Sequence, residues 1–227
     1  MLCYMTLDLE TVARYGPDIA GVDEVGMGPV AGPVCACALM VSREQAATIA
    51  VDRLEVDDSK KLSQSQRESL FPRIVAVSTH ALGWVSVEEI EELRNLNKSG
   101  ALARQRAVGN LVRKCQRLHR PEPAALISDW FDIPGRIPCV HVKSGDSLSF
   151  VCAAASIVAK VYRDTWMVRQ LDEHPEWGVY NWADNKGYGT PQHLRAIEIH
   201  GTTPLHRKYL LKTRATGARK QKGWGAR

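Results

Sequence analysis

Ile19-Ala-Gly-Val-Asp23-Glu24-Val-Gly26-Met27-Gly28-Pro-Val-Ala-Gly-Pro33-Val34 sets two adjacent carboxylates inside a short apolar run that ends at a Gly-x-Gly-Pro break. Ile19, Ala20 and Val22 read as a buried strand. Burying one unpaired carboxylate is expensive, and burying two side by side is worse unless a cation neutralises them. The residue types therefore point to a hard divalent metal, set against the plainer reading of a solvated Asp-Glu pair on an exposed strand end. Successive side chains of a regular strand face opposite ways. Asp23 and Glu24 can thus share one site only if the strand breaks at the pair, and Gly26, Gly28 and Pro29 offer the means for that break.

Outward from this stretch, Val34-Cys-Ala-Cys-Ala-Leu-Met-Val41 alternates with a period of two and predicts the next strand. Ser63-x-x-Gln66 and Ser86-x-x-Glu89 are capping boxes that open helices, with a strand over roughly 77–85 between them. Residues 99–118 keep an apolar helical stripe with Arg and Lys on the other face. Strands follow near 124–128 and 138–142, then an Ala-rich helix over 149–171. Thr190-Pro191 and Gly201 bracket a further helix. Strands come first and helices are interleaved later, which predicts an α/β protein with a mixed sheet flanked by helices.

With 227 residues, 44% apolar and 24% charged, the chain can build one globular domain. No run approaches a membrane span, and Asp8 and Glu10 stand where a signal peptide would be basic. The expectation is a cytoplasmic protein that does not meet a membrane, with its six cysteines reduced. Eight basic and no acidic residues follow Glu198, which leaves 22 basic against 25 acidic side chains before it. Residues 213–227 accordingly read as a basic, disordered tail beyond a domain spanning 1–212, with a polyanion as its natural partner and solubilisation as the competing role.

Three further carboxylates stand out. Asp129 ends the apolar run Ala124-Ala-Leu-Ile127-Ser, at the strand end where open α/β sheets place their sites. Asp132 competes with it but belongs to the following loop. Asp164 lies in the long helix, where an ion-paired surface position is the ordinary reading. Four oxygen ligands from a strand break, a strand end and a helix suit a two-cation phosphodiester site.

Gly21-Val-Asp-Glu-Val-Gly-x-Gly-Pro-x-Ala-Gly-Pro-Val34, Asp58-Ser-Lys-Lys-Leu-Ser63, Ala153-Ala-Ala-Ser-Ile-Val-Ala-Lys-Val-Tyr-Arg-Asp164, Asn185-Lys-Gly-Tyr-Gly-Thr190 and Pro204-Leu-His-Arg207 occur in the order found in bacterial ribonuclease HII, which the chain resembles over about positions 19–210. The resemblance implies the ribonuclease H fold, a mixed sheet of about five strands with helices on both sides and a smaller helical C-terminal part. It implies an endoribonuclease that cuts RNA in RNA–DNA hybrids and at single ribonucleotides in duplex DNA, with two Mg²⁺ or Mn²⁺ ions, leaving a 3′-hydroxyl and a 5′-phosphate; a monomer is the separate expectation. By position Asp23, Glu24, Asp129 and Asp164 match the family's catalytic metal ligands, although Trp130 stands where the family often has Gly or Ala. Gly26, Gly28 and Tyr188 match the elements that sense the ribose 2′-hydroxyl, and Met27 occupies the place of the usual Arg. Lys60 and Lys61, ahead of a helix start, are candidates for holding phosphate, with plain surface charge as the other reading. A catalytically silent nucleic-acid-binding protein on the same fold is the competing function, disfavoured because an anion-binding surface gains nothing from an acidic cluster.

Overall fold

The computed structural model describes residues 2–41 and 62–215. A five-stranded sheet runs in the order β3-β2-β1-β4-β5, from β1 (Ile19–Val25), β2 (Val34–Val41), β3 (Ser78–Val85), β4 (Ala125–Asp129) and β5 (Cys139–Val142). β1 is antiparallel to β2 and parallel to β4, and β4 is parallel to β5, so the sheet is mixed as expected. All eight residues of β2 are buried, so its Cys/Ala alternation is one of size and not of exposure. Both of its faces are thus covered, and it has no solvent side.

The helices are α1 (Leu2–Tyr15), α2 (Gln64–Ala76), α3 (Val87–Leu93), α4 (Leu96–Arg117), α5 (Gly145–Leu148), α6 (Phe150–Glu173), α7 (Trp182–Asn185), α8 (Pro191–His200) and α9 (Lys208–Ala215), with a 3₁₀ turn over Pro175–Tyr180. Ser63 and Ser86 form the two predicted capping boxes, each side chain accepting from the N3 amide while the N3 side chain accepts from the cap amide. Thr190 caps α8 by accepting from His193 N–H, and Gly201 closes that helix at φ 78°. Among the described residues no helix is long and apolar enough to cross a membrane.

The chain divides into two compact units, Met1–Val25 with Cys35–Trp84 and Ala101–Val161, and Gly26–Val34 with Val85–Gly100 and Tyr162–Arg227. The first holds the sheet. There α6 lies so close to β1 that a Cβ on Gly21 would stand 2.1 Å from the carbonyl carbon of Val151, and only glycine allows that approach. The second is built around Met167, Tyr180, Trp182 and Ala196, with Trp166, Trp177 and Leu205 packed against them.

Candidate active site

β1 continues unbroken through the carboxylate pair, with Asp23 opposite Cys37 and Glu24 opposite Ala36. The expected break at the pair is therefore corrected: it falls at Gly26, whose φ of 93° is left-handed. The ladder to β2 holds the backbone straight as far as Val25, so Asp23 and Glu24 leave the strand on opposite faces. Asp23 shares its face with Gly21, against α6. Asp23 is 7% exposed. Cys152 of α6 donates its thiol to Val22 O at 3.6 Å, and burial, with the charges of Asp23 and Asp129 adding to it, pushes that thiol well above its ordinary range.

Asp129 ends β4 as predicted. The parallel register sets Ser128 beside Val22, so the next residues along, Asp129 and Asp23, fall at the same end and on the same face of neighbouring strands. One oxygen of Asp129 accepts from Gly145 N–H at 2.9 Å, at the start of α5. Asp132 lies in the loop beyond, 3.9 Å from exposed His141.

Glu24 meets a cation already present. Arg104 Nη1 of α4 donates to its Oε2 at 2.6 Å, with the two side chains only 3% and 10% exposed. The guanidinium also lies 4.5 Å from the centre of the Phe131 ring. The Arg and Lys residues of α4 were expected on its solvent face, and Arg104 corrects that, because a buried carboxylate draws a cation inward.

The oxygen-only set of Asp23, Glu24 and Asp129 has the chemistry of a hard divalent cation site. Among the described residues, no three His, Cys, Asp or Glu side chains stand together as a preformed metal cluster.

Asp164 belongs to the second unit, 13% exposed, with Arg163 Nη1 3.8 Å from its Oδ1. Arg163 itself is fully buried and spends its donors on three carbonyls, Nε to Pro33 at 3.0 Å, Nη1 to Lys186 at 3.0 Å and Nη2 to Ala31 at 3.1 Å. Arg207 repeats the device, Nε to Gly32 O at 2.8 Å and Nη1 to Pro29 O at 3.0 Å. Burial, and then the nearby charge of Arg163, lowers the Arg207 guanidinium to about 9. Two buried arginines thus suspend the 26–34 loop. Gly26 is bound into it twice over, by its φ and because a Cβ would meet Arg163 Nε at 2.5 Å.

The ribose-sensing candidates come together in this unit. Val30 N–H and Ala31 N–H donate to Gly187 O at 2.9 and 3.2 Å, which joins the loop to the Lys186–Tyr188 turn. A Cβ on Gly28 would lie 3.5 Å from the Tyr188 ring, itself 39% exposed. Met27 is half-buried between the two glycines. Tyr188 is held from behind by histidines: His193 Nδ1–H donates to Tyr188 O at 2.8 Å, and its Nε2 accepts from Trp182 Nε1–H at 3.1 Å and lies 3.1 Å from His206 Nε2. His206 Nδ1 in turn accepts from Thr203 N–H at 2.9 Å. Burial lowers both imidazoles, His206 to about 4. Lys60 and Lys61 lie outside the described residues, and of the 213–227 stretch expected as a disordered tail, 213–215 complete α9 while 216–227 lie outside them.

Sequence reasoning did not single out Arg104, Gly145, His193 or the roles of Arg163, His206 and Arg207. The last three stood inside the quoted motifs, where their presence was visible and their task was not.

The Ribonuclease HII family pattern matches residues 20–213. The chain is 40% identical over 192 residues to the ribonuclease HII of Lactobacillus johnsonii, covering 84% of this chain and 69% of that protein. It is 41% identical over 202 residues to that of Jannaschia, covering 88% and 93%. In fold it is similar to the crystal structure of ribonuclease H2 from Pyrococcus horikoshii, with a TM-score of 0.67, 24% identity, and 91% of this chain and all of that one covered. Motif order and mixed sheet agree with these likenesses, and the chain belongs to the ribonuclease HII family.

Proposed function

We propose that the protein is a metal-dependent endoribonuclease that hydrolyses the RNA strand of RNA–DNA hybrids and cuts at ribonucleotides embedded in duplex DNA, giving 3′-hydroxyl and 5′-phosphate ends. The observation that supports this is the register of β1 and β4, whose last pair, Val22 and Ser128, directly precedes Asp23 and Asp129 at one end of adjacent parallel strands, in a chain of the ribonuclease HII family. Asp23, Glu24, Asp129 and Asp164 are the proposed ligands of two Mg²⁺ or Mn²⁺ ions. When bound, such ions supply an acidified water and neutralise charge at the departing 3′-oxygen. Gly145 N–H orients Asp129, and Glu24, now paired with Arg104, would hold a cation only by releasing that guanidinium. No side chain acts as nucleophile. Gly26, Met27, Gly28 and Tyr188 form the ribose-reading surface, supported by the closeness of Gly28 to the Tyr188 ring. Backbone approach and a packed aromatic suit a group as small as a 2′-hydroxyl, which separates RNA from DNA.

The experiment is cleavage of a duplex carrying one ribonucleotide, with Mg²⁺ and with chelator. Metal-dependent cutting at the ribonucleotide is the expected result. Tight binding without cleavage would favour a silent nucleic-acid-binding protein instead.

A further inference from the structure

Beside the carboxylates, β4 and β5 are each followed by a residue in the left-handed region, Trp130 at φ 62° and, one residue after Lys143, Ser144 at φ 62°. Trp130 comes directly after Asp129. Its N–H donates to Val142 O at 2.8 Å, and Phe131 N–H closes a three-residue turn back to Asp129 O at 2.7 Å. A bulky side chain is disfavoured in that conformation, and such strain persists only where surrounding structure enforces it.

The turn sets a large apolar ring out in water. Trp130 is 54% exposed, and the ammonium of exposed Lys143 lies 5.5 Å from its ring centre. An indole left in solvent contributes little to the fold. An aromatic face paired with a cation is the combination that packs on nucleic-acid strands, the ring against nucleotide surfaces and the cation on phosphate. Both groups stand at the carboxyl ends of parallel strands, on the same edge as Asp129, where α/β sheets bind their ligands.

We propose that Trp130 and Lys143 form a substrate subsite, the indole packing on the sugar of a nucleotide that flanks the scissile phosphate and the ammonium pairing with that nucleotide's phosphate. The pair fixes the strand's register against Asp129. This rests on the ribonuclease reading above.

Trp130→Gly is the informative variant, since glycine takes φ 62° without strain and the fold should be at least as stable. Steady-state cleavage of a duplex with one ribonucleotide is measured alongside metal-free binding of a labelled RNA–DNA hybrid by fluorescence anisotropy. Trp130→Gly should raise KM and Kd by about tenfold with kcat within about twofold, and Trp130→Phe should recover most of the loss. Lys143→Met should reduce the slope of log affinity against log salt by about one phosphate's worth. Unchanged KM and Kd in Trp130→Gly would overturn the subsite and turn attention to a protein partner for the indole. A lowered melting temperature with kcat and KM both disturbed would overturn it too, making Trp130 a fold residue. If the wild-type protein cut nothing, the ribonuclease reading would fail, while the anisotropy comparison would still decide the subsite.

Discussion

Arg104 Nη1 donates to Glu24 Oε2 at 2.6 Å with both side chains nearly buried, so Glu24 carries a counter-charge of its own before any metal arrives. Arg104→Met leaves that carboxylate unpaired, at a cost of about 3 kcal/mol for a buried pair losing one member. If a divalent cation can take the place of the guanidinium, saturating Mg²⁺ should recover part of the lost stability. Melting temperatures of both proteins across a Mg²⁺ series check this, and an equal deficit at every concentration would separate Glu24 from metal binding.

Asp23→Asn and Asp164→Asn should each lower turnover by roughly two orders of magnitude or more, because a neutral amide is a poor ligand for a hard cation. Single-turnover rates in saturating Mg²⁺ are the measurement. Near wild-type rates for both variants would remove the two-metal assignment.

Two buried groups titrate in opposite senses. His206 is held neutral to about pH 4, against 6.5 when unfolded, so its contribution is complete above 6.5 and is lost as pH falls toward 4. Burial raises Asp8 to about 6 from 3.8, although Ser149 Oγ–H and Phe150 N–H donate to its carboxylate, so its contribution is complete below 3.8 and is lost as pH rises through 6. Each is worth on the order of 3 kcal/mol, and between about pH 4 and 6 the two largely cancel. Urea unfolding of Asp8→Asn should therefore show stability falling on acidification from pH 7.5 to 5, and His206→Gln should show it rising. Identical slopes in both variants would contradict the assignment.

Met27 stands half-buried between Gly26, which faces Arg163, and Gly28, which faces Tyr188. Met27→Arg restores a charge-assisted contact worth about 1.5–3 kcal/mol where desolvated, so hybrid binding should tighten at moderate salt with the cut site unchanged. Tyr188→Ala should lower cleavage at a lone ribonucleotide while metal affinity, read by calorimetry, holds. A shifted cut site in the first variant, or collapsed metal affinity in the second, would mean that the loop is organised differently.

The five strands and the helices opened by Ser63, Ser86 and Thr190 were legible because caps and periodicity are local signals, satisfied within four residues. α1 carries no comparable cap signature and was not anticipated, and neither were the short helical turns over 175–185. The carboxylates were readable from residue type and strand ends. Their distribution between two sheet faces was not, because it depends on where the β2 ladder releases β1, two residues beyond Glu24. Burial of Arg104, Arg163 and Arg207 was equally hidden. Arginine is ordinarily a surface residue, and here each is drawn in by partners distant in sequence, a carboxylate 80 residues away or carbonyls from the 29–33 loop.

Arg163 donates to Ala31 and Pro33 with one part of its guanidinium and to Lys186 with another. The glycine loop and the tyrosine turn are consequently tied through Arg163 as well as through the Val30 and Ala31 bonds to Gly187 O, which couples them as one jaw instead of two independent fingers. On the proposed reading of these residues as a ribose-sensing surface, a nucleotide that pushed on either half would have to move the other, so a sugar would be tested against a gap of fixed width.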